Sequence, residues 1–146
     1  MKPDTAKKTI CVIDGQGGGI GGNIIKQLKS AFGESFELIG LGTNAIATGQ
    51  MIRAGANRGA SGENAIVRTV NQVDLIICSV SVTWANSMLG EVTPGIAEAV
   101  MSCAAPKIVL PLSQENVVIV GVRTDPLPHI VKDIVDNKIM EALNHV

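Results

Sequence analysis

The nine residues DGQGGGIGG, Asp14 to Gly22, lie between the apolar run TICVI and the segment NIIKQLKSAF. A short apolar run with polar boundaries predicts a buried strand, and apolar residues recur with helical spacing at Ile20, Ile24 and Leu28. Six of the nine residues are glycine, so the strand passes into the helix with almost no side chains. Because a helix begins with unpaired N–H groups and a partial positive charge, the loop predicts a site that a phosphate group can approach closely.

The composition indicates a single α/β domain over residues 1–146. The chain has 46% hydrophobic and 17% charged residues, which is enough for one domain with a substantial core. Aromatic residues are only 2%, so we expect a core of Ile, Val, Leu and Ala, which suits parallel strands covered by helices. A net charge of −1 argues against nucleic-acid binding, which needs clustered Lys and Arg.

The cysteines and the apolar runs indicate a soluble, cytoplasmic protein. Cys11 and Cys78 lie inside apolar runs, and with Cys103 the number of cysteines is odd, which predicts reduced core thiols rather than disulfides. Apolar stretches such as LIICSVSV are far shorter than the roughly 20 residues of a membrane span. Because apolar residues are many and charges few, we also expect a homo-oligomer.

Strand and helix patterns alternate along the rest of the chain. The predicted strands are residues 9–14, 36–41 and 73–80, with a short strand possible within 56–62. The first predicted helix begins at Ile20 and the last at Asp125. Between them, helices are predicted over residues 45–55, 63–72 and 93–103. Residues 107–112 and 117–122 are apolar and only four residues separate them, too few for a crossover helix, so we predict an antiparallel C-terminal hairpin at one sheet edge. Together the predicted strands and helices indicate a three-layer Rossmann-like α/β fold with a mostly parallel sheet.

The segment DGQGGGIGGNI resembles the cofactor loop of short-chain dehydrogenases, a Thr followed by GxxxGIG. Gly15, Gly19 and Gly21 take the glycine positions, and Asp14 replaces the Thr. The resemblance implies a nucleotide cofactor, with NADP, NAD or another nucleotide expected. Those enzymes transfer protons through a Tyr and a Lys, whereas this sequence contains no tyrosine, so dehydrogenation by that mechanism is excluded.

The end of the second predicted strand departs from NAD-binding proteins. An acidic residue usually binds the ribose hydroxyls there, but this chain has Gly42, Thr43 and Asn44. This weakens the case for NAD, although Thr43 and Asn44 are able to hydrogen-bond a ribose or a phosphate.

A second resemblance covers nearly the whole chain. The segments VIDGQGGGIG, GTNAIAT, AGAN, GENAIV, ANSMLGE and PLPH together are similar to a family of small bacterial proteins that is described only as a domain of unknown function. This resemblance implies a Rossmann-like fold and no particular mechanism.

Ligands of open α/β sheets bind outside the carboxyl ends of the strands. The candidate binding residues in those positions are Asp14, Gly15, Gln16, Gly17, Gly18, Gly19, Ile20, Gly21, Thr43, Asn44, Ser81 and Asn86. Most are small and uncharged, which suits hydrogen bonding to a phosphate, a ribose or a polar metabolite; the alternative is that they only complete turns.

Asp14 either holds Mg²⁺ through water or caps the loop by accepting its N–H groups. We favour capping and predict no metal site.

Five further residues keep open roles. Glu63 and Glu91 are candidate general bases or helix-start residues, Arg58 is a candidate phosphate ligand, Trp84 suits base stacking or a subunit contact, and His129 suits the surface.

Two functions therefore stay open, and catalysis is undecided. One is a small nucleotide- or dinucleotide-binding protein that holds a phosphate on the loop at residues 15–22. The other is a non-catalytic Rossmann-like protein for assembly or regulation.

Overall fold

A computed structural model describes residues 6–123 and 125–144. The strands are β1 (Thr9–Asp14), β2 (Glu37–Gly42), β3 (Arg58–Ser61), β4 (Leu75–Ser79) and β5 (Lys107–Leu110). They form one sheet in the order β3-β2-β1-β4-β5, and every neighbouring pair is parallel. The short strand expected within residues 56–62 is therefore confirmed as β3.

Helices connect the strands at nearly the predicted places. They are α1 (Gly19–Phe32), α2 (Ala45–Ala54), α3 (Glu63–Thr69), α4 (Pro94–Ser102), α5 (Leu127–Asp133) and α6 (Ile139–Asn144). The Thr93 hydroxyl accepts from the Ile96 N–H at 3.1 Å, which caps α4, and Gly55 ends α2 with φ 122°, a value that favours glycine. The last two helices form one continuous run because a π-helical turn, Ile134–Lys138, joins them.

Helices cover both faces of the sheet, so the core has two halves. On one face Cys11 of β1 is fully buried in a cluster that includes Ile66 of α3 and Val100 of α4. On the other face Val12 is buried in a cluster that includes Ile24 of α1. The three-layer α/β fold is thereby confirmed. The cysteines are all free and buried, as expected.

The strand order creates a crevice between β1 and β4. The chain leaves β1 through α1 toward β2, whereas it leaves β4 through α4 toward β5 on the opposite side of the sheet. Connections that diverge from adjacent strand ends leave a crevice, and ligands of open α/β sheets bind there. The glycine loop, residues 15–22, follows β1 and includes the first residues of α1, and it therefore forms one wall of this crevice.

The predicted antiparallel hairpin is wrong. β5 ends at Leu110 before Pro111, and residues 117–122 form no strand. The loop after β5 lies near the glycine loop instead, because the Glu115 carboxylate in this loop accepts from the Met88 N–H at 2.8 Å. Gly121, with φ 85°, also interrupts the extended backbone that a strand would need. No helix of the described residues is long and apolar enough to cross a membrane.

Candidate functional site

A buried carboxylate fixes the glycine loop to the end of β1. Asp14 is only 5% exposed, and its Oδ1 accepts from the Gly15 N–H at 2.8 Å while its Oδ2 accepts from the Gly21 N–H at 2.7 Å. Burial raises the pKa of Asp14, and the two N–H groups act in the opposite direction. Both oxygens are engaged by the backbone, which is the capping arrangement expected of Asp14.

Internal packing explains three of the loop glycines. A Cβ on Gly15 would lie 2.6 Å from Met88 Sδ, one on Gly18 2.7 Å from Ala47 Cα, and one on Gly21 2.8 Å from Met51 Sδ. Gly18 also has φ 76°, a conformation that costs other residues roughly 1–2 kcal/mol. These glycines therefore allow the loop to pack against β2, α2 and its own start.

Packing within the described part of the chain does not explain the glycines at positions 17 and 19. A Cβ on Gly17 or Gly19 would meet no atom within 4 Å, and both residues are exposed. Their N–H groups make no hydrogen bond with other described residues, whereas those of Gly15, Gln16, Gly18, Gly21 and Gly22 all have acceptors. Two open N–H donors thus lie on the one part of the loop that has free space beside it.

The free space is a cleft of about 620 Å³ in the crevice between β1 and β4. Its residues come from the glycine loop, the end of β4, the segment after it and the loop after β5: Asp14 to Ile20, Ser79, Ser81, Met88, Leu89, Leu112 to Glu115 and Leu127. Ser79 and Ser81 are 3% and 4% exposed. Across the described part of the chain neither hydroxyl has a hydrogen-bond partner, and neither oxygen is fully shielded from solvent, so two free hydroxyls line the cleft.

The carboxylate of Glu91 lies across the ends of β1 and β2. Its Oε1 accepts from Thr43 Oγ1 at 2.7 Å, from Asn44 Nδ2 at 2.8 Å and from the Gln16 N–H at 2.8 Å. Partial burial acts to raise the pKa of Glu91, but these donors hold it below its ordinary value. Thr43 and Asn44, predicted to contact a ligand, are therefore already engaged by Glu91.

The other predicted residues occupy different places. Ile20 lines the cleft but also packs against the core, whereas Asn86, with φ 68°, is exposed and shapes the segment after β4. Of the residues with open roles, Glu63 accepts from Thr93, Arg58 pairs with Glu37 at 2.5 Å, Trp84 is half-buried and His129 is exposed. The ligand-site roles considered for Glu63, Arg58 and Trp84 gain no support from their positions, and His129 lies on the surface, as expected.

Sequence reasoning placed Ser113 and Gln114 at the carboxyl ends of the strands but missed Ser79 and the rest of the cleft wall, which is formed by Met88, Leu89, Leu112 and Glu115. Ser79 was hidden inside the apolar pattern VDLIICSV, although a hydroxyl at the end of a buried strand is itself a signal. The wall has no local signal, because it depends on contacts between distant parts of the chain.

Substitutions at Gly18 and Gly19 should distinguish a glycine that internal packing requires from a glycine beside which the chain leaves free space. We expect Gly18→Ala to lower the free energy of unfolding by roughly 1–2 kcal/mol or more, because Ala must adopt positive φ and approach Ala47 closely. Gly19→Ala should be neutral or stabilising by up to about 1 kcal/mol, since Ala favours the helix. Urea denaturation measures both. Equal losses in the two variants would show that the fold itself requires Gly19.

Asp14 should make stability depend on pH. Because its folded-state pKa is raised above the ordinary 3.8, the unfolded chain loses this proton first, and stability falls as pH rises from about 3.8 through the raised pKa. Asp14→Asn cannot titrate, so the advantage of wild type over this variant should be largest below that window and shrink through it. Urea denaturation between about pH 3 and 7 tests the sign. An advantage that grows with pH would mean that the N–H bonds outweigh burial.

Comparison with known proteins gives a family and one similar structure. No curated protein matches this chain. A solved universal stress protein in complex with cAMP is similar with a TM-score of 0.43 and 19% sequence identity, over 73% of this chain and 98% of that chain. A family model described as a domain of unknown function (DUF3842) matches residues 9–143. The chain therefore belongs to this family, as its sequence motifs predicted.

Proposed function

We propose that this protein binds a nucleotide and holds one of its phosphate groups on the N–H groups of Gly17 and Gly19. The observation that carries the proposal is that the same two glycines have open N–H donors and free space where a Cβ would be. A phosphate at the start of α1 gains those two hydrogen bonds and the favourable end of the helix dipole. The proposal concerns binding, and no reaction is assigned.

The cleft lining supports a ligand with both polar and apolar parts. Ser79 and Ser81 supply hydroxyls, while Met88, Leu112 and Leu127 supply apolar walls that suit a base or a sugar face. A volume of about 620 Å³ lies within the range of roughly 300–1,000 Å³ found for small-molecule sites.

A thermal-shift screen tests the proposal. The ligands are NAD, NADP, ATP, ADP, FAD, coenzyme A and S-adenosylmethionine, each with and without Mg²⁺. A ligand at 100 times its dissociation constant should add about 2.7 kcal/mol, or on the order of 5 °C in Tm for a domain of this size.

Gly19→Val should abolish the shift while leaving the fold intact, because its side chain fills the space that the phosphate needs. The matched control is Gly22→Ala in the same helix, where a Cβ meets only ordinary contacts, the nearest at 3.7 Å. A shift that survives in Gly19→Val would contradict the phosphate position, and no shift from any ligand would contradict nucleotide binding.

A second candidate function is assembly, favoured by one exposed apolar segment. Val118 and Val120 are 90% and 93% exposed, and Val117, Ile119 and Val122 are 40–50% exposed. Beside them β5 is the last strand of the sheet, and its outer edge has no strand partner within the described residues. An apolar, β-branched segment and an open edge are complementary. We propose that a second copy of the chain pairs its residues 117–120, which precede the turn at Gly121, with this edge, reciprocally.

Sedimentation equilibrium at micromolar concentration tests this contact. Wild type should be a dimer, and the double substitution Val118→Lys with Val120→Lys should be a monomer, because paired lysines prevent burial of the segment. Ile46→Lys is the control, since Ile46 is 68% exposed on α2, away from β5. A monomeric wild type would refute the proposed dimer.

A further inference from the structure

We infer that the cleft accepts a single nucleotide unit and that Glu91 excludes a dinucleotide, by closing the side of the glycine loop that faces β2. The inference rests on the proposed nucleotide site and specifies its ligand class. It makes Glu91 a specificity-determining residue and Ser79 a ligand contact.

The closed side is defined by atoms of the chain itself. A dinucleotide on a sheet of this type crosses the crevice, and one ribose binds at the end of the second strand. Here the Thr43 hydroxyl and the Asn44 amide already donate to Glu91 Oε1. The space over Gly15 is also filled, because Met88 Sδ and Thr43 Oγ1 lie 2.6 Å, and Glu91 Oε1 3.1 Å, from where a Cβ would be.

The segment that carries Glu91 is held in place at several points. The Ser87 hydroxyl donates to the Ser81 carbonyl, the Asn86 N–H donates to the Val92 carbonyl at 2.7 Å, and the Met88 N–H donates to Glu115 at 2.8 Å. These bonds tie the segment both to the end of β4 and to the loop after β5. The closure over β2 is therefore a packed wall of the site.

The open side holds the donors that still lack acceptors. Ser79 and Ser81 are more than nine-tenths buried, and both line the same cleft as Gly17 and Gly19. Their hydroxyls make no hydrogen bond among residues 6–123 and 125–144, and no unpartnered side-chain oxygen of these residues is fully buried, so both hydroxyls are open to the cleft. A phosphate placed between the serines and the glycines would supply acceptors to both sets.

The experiment compares ADP with NAD by isothermal titration calorimetry on four proteins: wild type, Ser79→Ala, Glu91→Ala and the control Glu98→Ala. Ser79→Ala removes no internal hydrogen bond, so it should fold normally. Glu98 is exposed on α4, and its loss matches the charge change of Glu91→Ala.

Wild type should bind ADP at least roughly tenfold more tightly than NAD. Ser79→Ala should weaken ADP binding by roughly tenfold or more, the effect expected for a lost hydrogen bond to a charged group. Glu91→Ala should tighten NAD binding relative to ADP, and Glu98→Ala should leave the ratio unchanged.

Each other outcome overturns the inference in a recognisable way. Equal binding of ADP and NAD that is lost in Gly19→Val would leave the proposed function standing and refute the closure. Unchanged ADP affinity in Ser79→Ala would refute the serine contact. Absence of binding by either nucleotide would refute the inference together with the proposed nucleotide site.

Discussion

The buried Asp14 carboxylate is the contact on which the geometry of the site depends. It accepts from N–H groups at both ends of the glycine loop, at Gly15 and at Gly21. The loop therefore closes over a single side chain, and the first turn of α1 is fixed at the carboxyl end of β1. Gly21 is required for this approach, because a Cβ there would lie 2.9 Å from the Asp14 Cβ. Because these N–H groups are engaged internally, the loop offers a ligand the N–H groups of Gly17 and Gly19, which have no acceptor among the described residues.

The rim of the cleft is acidic, and this determines how an anion would be recognised. Asp14 and Glu115 line the cleft, Glu91 lies beside the loop, and none of the lining residues is Lys or Arg. Each carboxylate is engaged by backbone N–H groups, with Oε1 of Glu115 occupied by Met88. A phosphate would gain little long-range attraction here. Its binding would depend on hydrogen bonds of short range, from the loop and from the serines, so geometry rather than charge would provide selectivity.

The sequence predicts the first half of the site and not the second, for a physical reason. β1, the glycine loop and α1 are contiguous, so local periodicity and glycine content predict them. The wall of the cleft depends instead on Glu91 and Glu115, which bond to residues 75 and 27 positions away in the chain. The hairpin prediction failed for the same reason. The β-branched residues at 117–122 favour a strand, but the bond from Met88 to Glu115 directs the preceding loop elsewhere.

The segment between β4 and α4 connects the two sides of the site, and its backbone is strained to do so. Asn86, Met88 and Leu89 have φ values of 68°, 56° and 56°, which cost roughly 1–3 kcal/mol each for residues other than glycine. Such conformations persist only where surrounding contacts impose them. Here the contacts are Glu91 over β2 and Glu115 from the loop after β5. The strain therefore supports a fixed wall, in which Met88 lines the cleft while packing against one half of the core, and Leu89 lines it from the surface.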